Sequence, residues 1–357
     1  MSATKHLTLR DPPAPGTSRQ PMDSVVQARY GPAPEGLLRV ARIDRPTAGD
    51  GEVLVRVHAA SVDRGTWHIM AGLPYPIRLA GFGVRRPRYA NPGRCLAGTV
   101  DAVGTGATGF APGDAVYGTG NSSFAEFATA RADRLAPKPA NLTFEQAAAA
   151  PISAVTALQG LRDRGTVQTG HTVLVIGASG GVGTFAVQIA KAFGAEVTGV
   201  CSASKADLVR ALGADHVLDR TADDDGQRYD VVLDTGGHRS LRRLRRTLTP
   251  HGTLVIVGSE TGGRWLGGYD RTIRALLLSP FVRQRLAPLA SSENAADLRV
   301  LTGLIESGQV TPVVDRTFPL EEAAAAIRHV LDGEARGKVV VSVSPSSMQT
   351  PPPGSTP

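Results

Sequence analysis

The clearest pattern along the chain is an alternation of short apolar runs with helix-like segments between about residues 171 and 313. The apolar runs have the length of buried strands, and two of the segments between them have helical spacing. The runs are 172–177, 196–201, 216–218, 230–234 and 253–258, and the helical segments are 184–193 and 204–212. Strands that alternate with helices predict a doubly wound parallel sheet, assigned here to a domain over residues 151–313.

A different pattern precedes this region, over residues 22–150. Short alternating strands such as 53–58 and 98–104 are separated by dense glycine and proline. This pattern predicts a compact, antiparallel, barrel-like domain. The chain of 357 residues is also longer than one hydrophobic core usually serves, which agrees with two domains.

The C-terminal part of the chain is expected to return to the first domain. A helical pattern covers residues 321–332, and a last apolar strand begins at Gly337. We expect residues 314–344 to complete the β-rich domain, with the active site in the cleft between the two domains. Residues 1–21 and 345–357 are rich in Pro, Ser and Thr without periodicity and are interpreted as disordered tails.

The turn after the first strand of the α/β region is rich in glycine. It reads Ala178-Ser179-Gly180-Gly181-Val182-Gly183, with alanine in place of the first glycine of G-x-G-x-x-G. Gly180 and Gly181 let the backbone approach a pyrophosphate, and Gly183 lets the helix pack on the strand. The N–H groups at the start of the helix face the phosphates. The segment therefore predicts a bound dinucleotide.

The end of the second strand indicates which dinucleotide is bound. An NAD-specific unit has Asp or Glu there for the ribose 2′-hydroxyl, whereas this chain has Ser202, Ser204 and Lys205. Two hydroxyls and an ammonium group suit a 2′-phosphate, which favours NADPH over NADH. A helix N-cap is the plainer interpretation of the serines, and it is compatible with phosphate binding.

Cysteine content and charge limit the other function classes. Cys95 and Cys201 are far apart and in different predicted domains, which argues against a disulfide framework and a Cys-rich zinc site. Signal-peptide and membrane-spanning patterns are lacking, so a cytoplasmic enzyme without a membrane partner is expected. The net charge is +7, but the arginine run at 242–246 has the spacing of a solvated helix face, so no nucleic-acid partner is expected.

With these residues placed, the chain resembles the zinc-independent, quinone-oxidoreductase-like branch of the medium-chain dehydrogenase/reductase family. The resemblance implies a GroES-like catalytic domain, a Rossmann coenzyme domain and commonly a homodimer or homotetramer; we expect a homodimer. It is carried by Gly98-Thr-Val-Asp-Ala-Val-Gly, Phe110-Ala-Pro-Gly-Asp-Ala-Val-Tyr-Gly, Phe124-Ala-Glu-Phe, the segment 138–148, Thr156-Ala-Leu, Leu212-Gly-Ala-Asp, Asp230-Val-Val-Leu-Asp and Arg336-Gly-Lys-Val-Val.

The resemblance also implies roles for individual residues. Thr156 is expected near the nicotinamide or its phosphates, and Ser179 to Val182 at the pyrophosphate. Arg220 stands where relatives often have Tyr and is a candidate second cation at the 2′-phosphate, although it is equally well a surface charge. Gly258 and Lys338 are expected on the nicotinamide side.

The same resemblance indicates that zinc is absent. Zinc-dependent relatives carry Cys after the strand ending near Ser61 and Gly-His-Glu before the strand at Gly98; this chain has Asp63 or its neighbours and Gly93-Arg94-Cys95. Catalytic zinc needs three protein ligands, and a guanidinium at the His position repels the ion. Cys95 with His68 is conceivable as a metal pair, but a core-facing cysteine is the expected role.

Without a Lewis acid, hydride delivery to the β-carbon of an enone or quinone is favoured over reduction of a simple ketone. The candidate proton donors are Asp63, His68 and Tyr75. The segments 63–68 and 93–95 depart from the branch, so two alternatives stay open. One is a reductase or cyclase-like enzyme on a biosynthetic enoyl, imine or aldehyde intermediate. The other is a non-catalytic NADPH-binding or sensor protein.

Overall fold

The computed structural model describes residues 20–221, 226–258 and 263–343. The two expected tails, 1–21 and 345–357, lie outside the described residues except for Gln20 and Pro21. Pro21 begins the first strand, so ordered structure starts inside the range assigned to the N-terminal tail.

Strands and helices alternate in the middle of the chain, with strands prevailing before it. The strands are β1 Pro21–Val26, β2 Arg39–Asp44, β3 Glu52–Val62, β4 Cys95–Val103, β5 Ala115–Thr119, β6 Phe127–Arg131, β7 Leu135–Pro137, β8 Thr172–Ile176, β9 Glu196–Cys201, β10 His216–Asp219, β11 Tyr229–Asp234, β12 Leu248–Ile256, β13 Arg285–Pro288, β14 Val314–Pro319 and β15 Lys338–Ser342. The helices are α1 Arg64–Ala71, α2 Phe144–Ala149, α3 Pro151–Gln159, α4 Gly181–Ala192, α5 Ala206–Ala211, α6 Leu241–Arg246, α7 Tyr269–Leu278, α8 Ala295–Glu306 and α9 Ala323–Leu331.

Strands β8 to β13 form one parallel sheet in the order β10-β9-β8-β11-β12-β13. Their central residues, such as Val173 and Val175 in β8, are buried because helices cover both faces. The order reverses between β8 and β11, and in such sheets ligands bind outside the carboxyl ends of the strands at this point. The fold class predicted from the sequence is confirmed in this region.

The second large sheet has the order β14-β15-β3-β4-β5-β7, and β6 pairs with β3. Its pairings are antiparallel except for β14 with β15. β15 comes from the C-terminal part of the chain and lies against β3, with Val339 opposite Val62. The N-terminal β-rich part and the last strand thus share one sheet.

The two sheets meet at an apolar junction. One buried cluster contains Ala59 and Tyr117 of the mostly antiparallel sheet together with Val173 of the parallel sheet and four residues of α3. Within it the Tyr117 hydroxyl donates a hydrogen bond to the Leu298 carbonyl at 2.7 Å. Burial raises the pKa of Tyr117 to about 12. This packing fixes the cleft between the domains next to α3 and the carboxyl ends of β8 and β11.

Candidate functional site

The glycine-rich turn joins β8 to α4 and leaves the start of α4 open. Gly177 has φ +84° and takes the left-handed conformation that the turn requires. The first bond within the helix runs from the Thr184 N–H to the Gly180 carbonyl at 3.0 Å. No side chain caps α4 at Gly180, so the N–H groups of residues 181–183 have no partner within the helix. These donors can bind the oxygens of a phosphate group.

Gly183 is required for the close approach of helix and turn. A Cβ atom on Gly183 would lie 2.0 Å from the Gly177 carbonyl oxygen, which no other residue can accommodate. Ala178 is fully buried, and a Cβ on Gly199 of β9 would lie 3.1 Å from its Cβ. The alanine thus fills space beside β9, while Gly177, which the sequence motif did not single out, makes the turn.

The end of β9 carries the residues predicted to select the cofactor. Ser202 and Ser204 have their hydroxyl oxygens 3.4 Å apart, and neither of the short helical segments that follow has a side-chain cap. The Lys205 ammonium donates hydrogen bonds to the Gly333 and Ala335 carbonyls at 2.9 and 2.8 Å.

Lys205 belongs to a cluster of positive charge. Burial, Arg336 and Arg220 lower the pKa of Lys205, whereas Asp315 raises it. The Arg220 side chain is exposed, and its backbone N–H donates to the Cys201 carbonyl at 2.8 Å. Arg336, which the sequence analysis quoted only as part of a motif, is thereby placed with Lys205 and Arg220. The cluster stands where an acidic residue would mark an NAD-specific site.

Lys338 connects the β-rich domain with the glycine turn. Its side chain is 1% exposed, and its ammonium donates to the Val62 carbonyl and the Ser153 hydroxyl, each at 3.1 Å. A Cβ on Gly181 would lie 3.1 Å from Lys338 Cδ. One residue earlier, the Gly337 N–H donates to the Ser179 carbonyl at 3.0 Å. Lys338 and the turn are therefore brought together by contacts between the two domains.

Thr156 and Gly258 occupy different elements of the cleft. The Thr156 hydroxyl donates to the Ile152 carbonyl at 2.7 Å and lies 3.1 Å from the Ser291 hydroxyl. Gly258 follows β12, and among the described residues a Cβ there would approach the Thr235 carbonyl oxygen at 3.8 Å.

The three candidate proton donors each have their own structural partners. Asp63 caps α1, accepting a hydrogen bond from the Thr66 N–H at 3.0 Å. His68 Nδ1 lies 2.8 Å from the Leu73 carbonyl oxygen. The Tyr75 ring packs edge-on against Trp265, with ring centres 5.0 Å apart. These contacts position the three side chains separately, and no contact between them is observed within the described residues.

The donors around Cys95 do not fit a zinc ion. Its thiol lies 3.9 Å from Asp63 Oδ2, and burial together with the Asp63 charge raises the pKa of Cys95 to about 11. A zinc-bound cysteine must be a thiolate, and three protein ligands are needed. Within residues 20–221, 226–258 and 263–343, no group of three or more His, Cys, Asp or Glu side chains could hold a metal.

Two further features were missed by the sequence analysis. A cavity of about 160 Å³ opens beside Gly93 and contains the side chains of Arg94 and Arg134. At the carboxyl end of β11, Arg271 donates a short hydrogen bond to the buried Asp234. The sequence does not show which arginines line a cavity or form a buried ion pair, because most arginines of the described residues are exposed.

Comparison with known proteins agrees with this architecture. The alcohol dehydrogenase GroES-like domain family matches residues 49–140, and the zinc-binding dehydrogenase family matches residues 212–341. The chain is 30% identical over 328 residues to a chloroplast envelope quinone oxidoreductase homolog from Arabidopsis thaliana, covering 87% of this chain and 95% of that protein.

Solved structures show the same fold. The quinone oxidoreductase from Coxiella burnetii superimposes with a TM-score of 0.76 at 26% identity, covering 91% of this chain and all of that one. Mycobacterial Rv1454c complexed with NADPH gives a TM-score of 0.74 at 28% identity, covering 90% of this chain and 99% of that one. The chain therefore belongs to the medium-chain dehydrogenase/reductase family, in its quinone-oxidoreductase-like branch, and is an NAD(P)H oxidoreductase.

Proposed function

We propose that this protein is an NADPH-dependent reductase that delivers hydride to a conjugated C=C bond or to a quinone without using zinc. The observation that carries the proposal is the cluster of Lys205, Arg220 and Arg336 at the end of the strand next to the uncapped glycine turn.

The choice of cofactor follows from charge. The 2′-phosphate of NADPH carries negative charge and several acceptor oxygens, for which Lys205, Arg220 and the hydroxyls of Ser202 and Ser204 are suitable partners. Mutual repulsion with Arg220 and Arg336 contributes to the lowered pKa of Lys205, and an anion between these groups relieves that repulsion. NADH lacks the phosphate and does not benefit.

The turn and its neighbours would hold the rest of the dinucleotide. Gly181 to Gly183 would supply the backbone N–H groups for the pyrophosphate, while Thr156, Gly258 and Lys338 would border the nicotinamide side. When bound, NADPH supplies the hydride. The buried Lys338 ammonium fixes Ser153 and the end of β3, which orients the segment beginning at Asp63.

The reaction class follows from the donors available for the substrate oxygen. The donors around Cys95 do not fit a zinc ion, and conjugation itself carries charge to the oxygen of an enone or quinone, which lowers the need for a Lewis acid. Hydride addition at the β-carbon then needs only a proton at the α-carbon or oxygen. Asp63, His68, Tyr75 or solvent is proposed to supply it.

The cofactor assignment is tested with Lys205→Ala. Loss of a charged hydrogen bond to phosphate is expected to weaken NADPH binding roughly 10- to 100-fold, with little change for NADH. Equilibrium titration of nicotinamide fluorescence measures both affinities. Lys191→Ala is the matched control, because Lys191 is a partly exposed lysine that pairs with Asp215 outside the cluster. Equal losses for NADPH and NADH would contradict the assignment.

The reaction class is tested by following NADPH absorbance with enones, quinones and saturated aldehydes. Oxidation of NADPH by enones or quinones, with none by saturated aldehydes, is expected. Tight NADPH binding without turnover of any substrate would instead favour a non-catalytic NADPH-binding protein.

We further propose a homodimer assembled on α7 and the edge strand β13. The face of α7 exposes Ile273, Leu276 and Leu277, and Phe281 beyond the helix is 84% exposed. Apolar patches of this kind mark interaction surfaces, and a two-fold axis would pair β13 with its own copy. Light scattering after size exclusion is expected to give twice the chain mass, and Leu277→Glu is expected to give monomers. A monomeric wild-type protein would overturn the proposal.

A cytoplasmic location is also proposed, with a small-molecule substrate and no membrane or nucleic-acid partner. Cys95 and Cys201 are both buried free thiols, as is usual in reducing compartments. In the described part of the chain, no helix combines the length and apolar character needed to cross a bilayer. Cell fractionation tests the location.

A further inference from the structure

The cavity beside Gly93 is unusually rich in positive charge for its size. It has a volume of about 160 Å³, and its polar lining consists of Tyr89, Asn91, Arg94, Asn121, Ser122 and Arg134. None of its lining residues, all of which lie in the described range, is acidic. A space of this size accommodates a small polar group together with a few carbon atoms.

The guanidinium of Arg94 is poorly satisfied inside the protein. Its Nε atom is buried and has no hydrogen-bond partner. Its Nη2 atom lies 3.6 Å from Glu293 Oε2, a distance too long for a strong hydrogen bond. Nε is one of the five N–H donors in the planar fork of the guanidinium, and this buried donor is available to a bound acceptor. A buried donor without a partner costs free energy that a bound acceptor recovers.

Arg134 adds a second positive charge to the same cavity. The neighbouring acid, Asp133, is held by Arg131 through two hydrogen bonds of 3.0 and 2.7 Å. The Asn91 amide is likewise engaged, because it donates to the Phe124 carbonyl at 2.7 Å and accepts from the Gly93 N–H at 2.9 Å. The charged groups that line the cavity are therefore the guanidinium groups of Arg94 and Arg134, with the carboxylates of Glu293 and Asp133 outside its lining.

The position of the cavity links it to the reaction site. Arg94 directly precedes Cys95, whose thiol lies 3.9 Å from Asp63. Its partner Glu293 lies two residues after Ser291, which contacts Thr156. The segments that carry Arg94 and Glu293 are therefore the same ones that contact Asp63 and Thr156.

We propose that Arg94 and Arg134 bind a carboxylate of the substrate, so that the preferred substrate is a conjugated ketone bearing a carboxylate. The inference rests on the proposed reductase function and specifies its substrate class. Arg94 forms a two-point contact with the carboxylate, as the guanidinium fork allows, and Arg134 supplies the second charge. Glu293 competes with the substrate for Arg94.

The test compares 3-benzoylacrylate with its methyl ester, which has the same enone but no charge. Arg94→Met is expected to lower kcat/KM for the acid roughly 10- to 100-fold, mainly by raising KM. The kcat/KM for the ester is expected to change little. Glu293→Gln is expected to raise kcat/KM for the acid, because the carboxylate that competes for Arg94 is removed. The control Arg299→Ala removes an exposed arginine of α8 outside the cavity and is expected to change neither substrate.

The outcomes separate this inference from the proposed function. If Arg94→Met and Glu293→Gln change acid and ester alike, the carboxylate site is overturned while the reductase stands. If the wild-type protein reduces no enone or quinone, the function fails, and the cavity is tested by benzoate binding in ligand-observed NMR. Binding that is lost in Arg94→Met supports the site, and absence of binding overturns it. NADPH affinity verifies that each variant is folded.

Discussion

The buried ion pair at the carboxyl end of β11 gives the sharpest test of how the cleft is held together. Asp234 is 0% exposed and Arg271 of α7 is 8% exposed. Arg271 Nη2 donates to Asp234 Oδ2, and the other oxygen of Asp234 accepts from the Gly237 N–H at 3.1 Å. The pair therefore ties α7 to the loop at the switch point of the sheet.

Substitution of either Asp234 or Arg271 is expected to lower the free energy of unfolding strongly, because it leaves the other buried group without its charged partner. Asp234→Asn leaves a buried guanidinium whose Nε and Nη1 already lack partners, and Arg271→Leu leaves a carboxylate with the Gly237 N–H as a remaining donor. Breaking such a pair costs about 3–5 kcal/mol. The double variant loses less than the sum, by about 1–3 kcal/mol, since no unpaired charge remains.

Urea and thermal unfolding of the four proteins measure these differences. The control is Arg328→Ala, which removes an exposed pair with Glu35, and its effect is expected to be close to zero because water screens that pair. Single substitutions at Asp234 and Arg271 that cost less than about 1 kcal/mol, or whose effects simply add, would refute the reasoning.

Three further outcomes are expected. Gly183→Ala places a Cβ 2.0 Å from the Gly177 carbonyl oxygen and is expected to lower NADPH affinity more than tenfold. The control is Gly303→Ala on α8, where a Cβ meets no atom of the described residues within 4 Å. This control is expected to stabilise the protein slightly in thermal unfolding. The free energy of unfolding is expected to fall by roughly 1–3 kcal/mol as pH rises from about 9 to about 11, because the Cys95 thiol ionises near pH 9 when unfolded and near pH 11 when folded. In denaturant unfolding across this range, the free energy of unfolding of Cys95→Ala is expected to depend less on pH. Elemental analysis of the pure protein is expected to find no stoichiometric zinc, and chelators are expected to leave activity intact; activity lost on chelation and restored by zinc would contradict this.

The strands that could be predicted best are those buried on both faces. β8 and β9 are predicted at 172–177 and 196–201 and are observed at Thr172–Ile176 and Glu196–Cys201, because nearly all of their residues are buried between the covering helices. β12 begins at Leu248, five residues before the predicted start, since its polar first half, including Pro250 and His251, carries no apolar signal. β13 was not predicted. Its four residues include Arg285 and Pro288, and an edge strand needs no alternating pattern.

The candidate site shows the same division between local and distant information. The glycine turn was predictable because strand, turn and helix are adjacent in the sequence. The hydrogen bonds from Lys205 to Gly333 and from Lys338 to Ser153 join residues that are 128 and 185 positions apart in the sequence. The residues around either lysine in the sequence do not indicate which acceptor it binds. Residue type restricted each lysine to donating hydrogen bonds, but only the packing of the two domains determined the acceptors.

Arg94 bears both on the absence of a zinc ligand at its position and on the proposed carboxylate substrate. At the position where zinc-dependent relatives carry histidine, a guanidinium keeps positive charge in the cleft but removes a metal ligand. A metal ion withdraws electrons from the carbonyl oxygen that it coordinates, whereas a guanidinium binds a group that is already anionic. The same residue that argues against a zinc site therefore favours a substrate that carries a carboxylate in addition to its conjugated ketone.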